Sequence, residues 1–429
     1  MKHWFSDLTA FRRDPLTLFL ARGNAAAAPL VPLRLGPAPV YLVADPELVR
    51  PLMKAAEEDV DKGRLIHKLR AVVGKSSLTV SGDEHRLRRE AVHHHLAKGT
   101  VERLTAPMAA EIRAVAARLA REGRFDPHAA MAPLALKMIS MVLFGRQVLS
   151  PADEQALVKA VRMAEDDVAD ELFRVLPLTP WAQSARSRKR RFARDTMGLI
   201  VRRARAHAHD SSVLRALEKA GLTDEELSDE ILTLLITGHH TTGASATWLL
   251  YHLATEPGLA DAIAAEAAGL CDRNGEIPAE RLKTAHRSLA LVREVLRLYP
   301  SGWWFSRETR RSMEVGGRRL KPGTSLIVCP WQLHRDPRHW DAPETFRLDR
   351  SFANRAYLPF GLGPRACVGM GLAMLELQLI ALEFAAAYAF GAVAPFPASR
   401  PVPSVTLIPP PMQIDIRVRE PAHLHASVA

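Results

Sequence analysis

The residues best placed to do chemistry lie in FGLGPRACVG, from Phe360 to Gly369. Gly361 and Gly363 permit a tight turn with no Cβ in the way. The run after Cys367 (VGMGLAMLELQLIALEFAAAY) reads as a long helix, which sets the thiol just before or at its N-terminus. There the helix dipole and free amides stabilise a thiolate and lower its pKa. A single cysteine is by default buried and inert. With a phenylalanine, three glycines and an arginine in register around it, Cys367 reads instead as a metal-ligating thiolate.

Other candidates lie on helices. Glu294 and Arg297, in LVREVLRLYP, are three residues apart and can form a charge-assisted pair on one face. Thr223 to Glu226 (TDEE) is a capping-box signature opening a helix that runs to about Thr255 and stops at Pro257-Gly258. Its thirty or so residues span roughly 45 Å. Its centre, ITGHHTTGAS, is poor helix-forming material, with Gly238 and Gly243 each costing about 1 kcal/mol relative to alanine. Such a weak centre implies close approach by a ligand, a local distortion or tight helix packing. His239 and His240 point about 100° apart and do not make a metal pair. His85 and Arg89, in GDEHRLRREAV, share a helical face four residues apart, while His93, His94 and His95 read as ordinary helix-face residues.

Together these motifs resemble the cytochrome P450 family, and the resemblance spans almost the whole chain. The family's loop pattern, Phe-Gly-x-Gly-x-Arg-x-Cys-x-Gly, is matched at every fixed position, Phe360 to Gly369. The resemblance implies a mainly α fold with a minor β-sheet, and haem b between the long central helix and the cysteine-loop helix. Cys367 would bind the iron, where a thiolate favours O–O cleavage. Glu294 and Arg297 would form a structural lock with Arg350 in FRLDRSF, although Leu348 stands where the family usually has proline. In the family a small residue and glycine precede an acid–threonine pair. Aligned here, Thr237 and Gly238 lead to His240 in the acid position and Thr241 in the hydroxyl position. Histidine can also relay protons near neutral pH. This His-Thr version is similar to the sterol 14α-demethylase branch. His85, Arg89, Arg307 (in WWFSRET) and Arg365 match the family's contacts to the haem propionates. His334-Arg335-Asp336-Pro337 reads as structural.

The resemblance further implies a monooxygenase inserting one oxygen atom from O₂ into a lipophilic small molecule. A terpenoid is favoured, with a steroid or fatty acid as other options. Leu65 to Leu78, Val168 to Trp181, the central helix and Ser301 to Ser306 would line the pocket, with Trp303, Trp304 and Phe305 as walls. Electrons would come from NAD(P)H through a separate ferredoxin and ferredoxin reductase. The alternatives are a peroxide-using or isomerising haem-thiolate enzyme, or a non-catalytic haem sensor.

The elements that must position these groups are mostly helical. Strand-like runs occur at VPLRL, PVYLV, Met313 to Val328 (with a Gly316-Gly317 hairpin signal) and MQIDIRVRE. Asp45-Pro46 opens a helix after the second run. No composition shift marks a boundary, so residues 1–429 read as one haem domain with no fused reductase. The 48% hydrophobic and 24% charged residues suit a globular chain. A net charge of +11 favours an acidic partner such as a ferredoxin, and without a nucleic-acid motif no nucleic acid is expected. The run Arg186 to Arg194 reads as a solvated helix face. Three cysteines, no signal peptide and no apolar run near the roughly 20 residues of a membrane span point to a cytoplasmic protein, and a monomer is expected.

Overall fold

A computed structural model describes residues 5–96, 98–173, 179–394 and 400–420. The central helix, Asp224–Thr255, starts at the capping box: Thr223 Oγ1 accepts from the Glu226 amide while Glu226 Oε2 accepts from the Thr223 amide at 3.0 Å. It ends before Gly258, whose φ of +71° turns the chain. The helix is unbroken and buried along most of its length, packed by Pro127–Phe144, Pro180–Arg205 and Met370–Ala387.

Of the three explanations for its weak centre, tight packing is the one observed. A Cβ at Gly238 would stand 2.8 Å from Ile139 Cγ1, and one at Gly243 would stand 3.0 Å from Ala132 Cα. Both glycines let Pro127–Phe144 come close, and no distortion interrupts the hydrogen-bond ladder. Packing therefore offsets the propensity cost.

A five-stranded sheet gathers distant segments in the order Leu30–Leu33, Val40–Val43, Ser325–Val328, Phe305–Thr309, Val60–Asp61. The pairing of Val40–Val43 with Ser325–Val328 is parallel and spans most of the chain. Met313–Val315 and Arg318–Leu320 form the hairpin, and both turn glycines, Gly316 and Gly317, have positive φ (56° and 71°). Asp45 caps the turn Pro46–Leu48, which leads into Val49–Lys54. The strand Gln413–Val418 pairs with Arg124–Phe125 and Tyr388–Ala394.

Three expectations need correction. Two helices, Pro127–Phe144 and Met370–Ala387, are long and apolar enough to cross a membrane, but they are 72% and 61% buried inside the protein. Their apolar character is used against neighbouring helices. The basic run is not simply solvated: Arg186 and Arg190, one helical turn apart, face inward onto Asp167 and Glu171 of Pro151–Phe173. Trp303 is fully buried, with its Nε1 donating to the Ser404 carbonyl at 2.9 Å, so it is a core residue and not a pocket wall. Within the expected lining segment Val168 to Trp181, residues 174–178 lie outside the described residues.

Replacing Gly243 with valine should push the two helices apart and destabilise the protein by about 1–3 kcal/mol. The midpoint of urea unfolding measures this, and an unchanged midpoint would show slack in the contact.

Candidate active site

The cysteine loop is shaped by close approach. Gly363 has φ +73°, and a Cβ there would stand 2.5 Å from the Met53 carbonyl oxygen, so the loop presses against Val49–Lys54. The Cys367 amide donates to the Phe360 carbonyl at 2.9 Å, which closes the loop on itself. The following helix starts at Met370 with Gly369 as its N-cap, so the thiol stands ahead of the first turn. Cys367 remains accessible although protein surrounds it. Burial pushes the thiol pKa up, and the Gly369 amide and the Arg89 guanidinium pull down less strongly. In the free thiol burial thus outweighs the amide and the cation, against the lowering expected at a helix start.

Around this loop the structure gathers cations. Arg89 donates to the Ala366 carbonyl at 2.7 Å. Arg365 donates to Glu57 Oε1 at 3.1 Å and to the carbonyls of Ser77 and Val80. Arg307 lies on the strand Phe305–Thr309, its guanidinium pKa pushed down to about 10 by burial and by Arg365. His85 is pushed down to about 3 by burial, then by Arg365 and Lys62. Lys62, which sequence reasoning missed, is buried, with Nζ donating to the carbonyls of Ser77, Leu78 and Val80. Its pKa is pushed down to about 7 by burial and by Arg365. Glu57 and Asp61 are the carboxylates that these groups feel, and they leave the cluster with surplus positive charge. A partly buried surplus of this kind suits an anionic ligand with carboxylates of its own.

Behind the loop, Glu294 and Arg297 are fully buried and joined by two hydrogen bonds of 2.8 Å. Arg350 Nε donates to Glu294 Oε1 at 3.0 Å despite the neighbouring Leu348. Arg297 also donates to the carbonyls of His334, Pro343 and Thr345. His334 accepts from the Leu358 amide at 2.8 Å, and burial keeps it neutral, with a pKa of about 3. The lock therefore holds the segment leading into the cysteine loop through charge-assisted bonds and carbonyl acceptors.

On the central helix, Thr241 Oγ1 donates to the Thr237 carbonyl at 2.7 Å. His240 faces Thr406, with 3.2 Å between Nδ1 and Oγ1, and burial lowers its pKa. His239 points elsewhere, 3.1 Å from Glu165. Thr242 donates to Glu376 of the cysteine-loop helix at 3.3 Å. Glu376 is buried with its other oxygen unpartnered, and burial raises its pKa to about 8.

A family model described as "Cytochrome P450" matches residues 5–414. The chain belongs to the cytochrome P450 family. It is 30% identical over 427 residues to cyclooctatin synthase of Streptomyces melanosporofaciens, covering 93% of this chain and 88% of the relative. Cyclooctat-9-en-7-ol 5-monooxygenase of the same organism is 28% identical, with the same coverages. Pentalenene oxygenase of Streptomyces avermitilis is 28% identical over 378 residues, covering 83% of this chain and 82% of the relative. This P450 is a haem-thiolate monooxygenase of mainly helical fold with small sheets.

Haem fits the residues present. An accessible thiol stands within the protein, and surplus cations nearby answer the two carboxylates that haem carries. Among the described residues no cluster of three or more His, Cys, Asp or Glu offers a competing metal site. Sequence reasoning also missed Arg88, which is buried against Glu84, Glu226 and Glu230 and ties Gly82–His95 to the central helix. Nothing in LRRE distinguishes Arg88 from Arg89 without knowing which face is inward.

Two outcomes are expected for this P450. Glu294→Ala strands two buried arginines and should cost about 3–5 kcal/mol, read from urea unfolding, with loss of haem retention. Glu376 has a native pKa near 8 against 4.5 for the free side chain, so the native state keeps a proton that the unfolded chain releases. Its contribution to stability therefore falls as pH rises from about 4.5 to about 8. Glu376→Gln should flatten that decline, and parallel pH profiles for the two proteins would contradict the assignment.

Proposed function

We propose that this P450 hydroxylates a terpenoid, drawing electrons from NAD(P)H through a separate ferredoxin and ferredoxin reductase. The observation that carries the substrate class is near-full-length likeness to relatives named for cyclooctatin, cyclooctat-9-en-7-ol and pentalenene, which are terpenoids. In this reading Cys367 holds the haem iron, Phe360 and Gly369 frame it, and the thiolate favours O–O cleavage. Arg89, Arg307, Arg365 and Lys62, with His85, bind the propionates. Glu294, Arg297 and Arg350 keep the loop rigid.

Thr241 and His240 handle protons. The Thr241 hydroxyl hydrogen is engaged by the Thr237 carbonyl, which leaves the oxygen free to accept. Burial keeps His240 neutral near pH 7, so one ring nitrogen can accept a proton while the other donates. Its hydrogen bond to Thr406 orients the ring. We place the chain in the cytoplasm as a monomer, and the burial of its two most apolar helices supports the absence of a membrane span.

The test is a titration of the purified P450 with sesquiterpene and diterpene hydrocarbons, followed as a low- to high-spin shift of the Soret band. Saturable shifts with these, and none with fatty acids, are expected; the reverse would overturn the substrate class. Thr241→Ala should retain substrate binding but form product about 100-fold more slowly, with less product per NAD(P)H. Unchanged coupling would remove Thr241 from the proton route.

A further inference from the structure

Most hydroxyls of the central helix serve the helix itself. Thr233, Thr237, Thr241 and Thr247 each donate to the carbonyl four residues back, a bond that helical threonine and serine commonly make. Ser245 departs from this habit. The carbonyl four residues back from it belongs to Thr241, and Ser301 has taken that acceptor, its Oγ donating there at 3.0 Å. Ser245 Oγ lies 2.8 Å from Ser301 Oγ instead. Both serines are buried. Ser301 stands just past the helix His286–Leu298, so a loop distant in sequence reaches the backbone of the threonine.

Further bonds join this loop to a second segment. Trp303 donates to the Ser404 carbonyl at 2.9 Å, and the Ser404 amide donates to the Thr406 carbonyl at 3.0 Å. Ser404 and Thr406 lie in the turn between the paired strands Val402–Pro403 and Leu407–Ile408. Thr406 in turn meets His240, 3.2 Å away. Loop and turn therefore form one hydrogen-bonded block seated on His240 and Thr241. A threonine in a helix has few side-chain rotamers open to it, so the direction of the Thr241 hydroxyl follows from the backbone that the Ser301 bond fixes. Satisfying Ser245 alone would not call for Ser301, since the Thr241 carbonyl was already within its reach. We propose that Ser301 is a positioning residue for Thr241, and that Trp303 joins it to Thr406 so that one frame holds both partners of the proton route. The proposal rests on the reading of Thr241 and His240 as proton carriers.

The experiment measures product and hydrogen peroxide per NAD(P)H in the haem-loaded full chain, driven by a bacterial ferredoxin and its reductase. The probe is whichever terpene or fatty acid binds tightest in the spin-shift titration, so the substrate class does not decide the outcome. Each NAD(P)H brings two electrons to one O₂, which ends as product and water or, without insertion, as hydrogen peroxide. Ser301→Ala leaves Ser245 free to bond the Thr241 carbonyl, so the helix stays satisfied and the protein folds. Ser301→Ala and Thr406→Val should bind the probe within about twofold of wild type, yet raise the ratio of peroxide to product about three- to tenfold, the scale of one lost hydrogen bond. Thr406→Ser, which keeps the hydroxyl, should restore the wild-type ratio. Thr247→Val removes a buried hydroxyl bonded to the Gly243 carbonyl of the same helix and should keep that ratio. The carbon monoxide spectrum checks haem ligation in every variant.

A wild-type ratio in Ser301→Ala, with Thr241→Ala raising it, overturns the positioning role and leaves the proton route standing. If Thr241→Ala itself leaves the ratio unchanged, the proton route has failed and the frame has nothing to position. Equal increases in Ser301→Ala and Thr247→Val would mean that any hydroxyl lost from this core loosens the site. Weaker probe binding in step with the ratio would make Ser301 a pocket wall. Either result also overturns the proposal.

Discussion

A thiol that is to hold an iron must be brought inside the protein without being packed over. Here the loop from Phe360 to Gly369 meets that demand through a glycine pressed on the Met53 carbonyl and an amide bond back to Phe360. The same placement makes the free thiolate costly, since burial outweighs the Gly369 amide and Arg89 in setting its pKa. Thiolate formation is then coupled to metal binding, because a ligand must lose its proton as the metal arrives. As a free nucleophile the thiol is disfavoured, and a bound metal would supply the charge that its thiolate needs.

Charge is handled differently in the two networks around that loop. In the lock, Glu294 is matched by Arg297 and Arg350, and the remaining guanidinium donors reach backbone carbonyls. That network is closed, and removing one member strands the others. In the cation cluster, Lys62, Arg89, Arg307 and Arg365 outnumber Glu57 and Asp61, and each depresses a neighbour's affinity for protons. The balanced network stabilises the fold, whereas the unbalanced one is poised for an anion.

What was legible in the sequence is what depends on near neighbours. The Thr223–Glu226 cap, the Gly316-Gly317 turn and the cysteine loop are each fixed within a few residues, and the structure shows all three. Arg350 reached Glu294 although the residues around it depart from the usual pattern, because its spacing and not its flanks set the geometry. The misses all turn on which way a side chain faces. Arg186 and Arg190 turn inward while Arg188 and Lys189 turn out, and Trp303 belongs to the core. Lys62 and Glu376 carry no motif, and only tertiary contacts place them beside the cation cluster and Thr242.

The most direct test of the account is the carbon monoxide difference spectrum of the dithionite-reduced protein. Thiolate ligation by Cys367 predicts a strongly red-shifted Soret band that disappears in Cys367→Ala and changes to that of an imidazole-ligated haem in Cys367→His. A protein that takes up no haem, or one whose wild-type band already has the imidazole-ligated position, would contradict the assignment of Cys367 as the iron ligand.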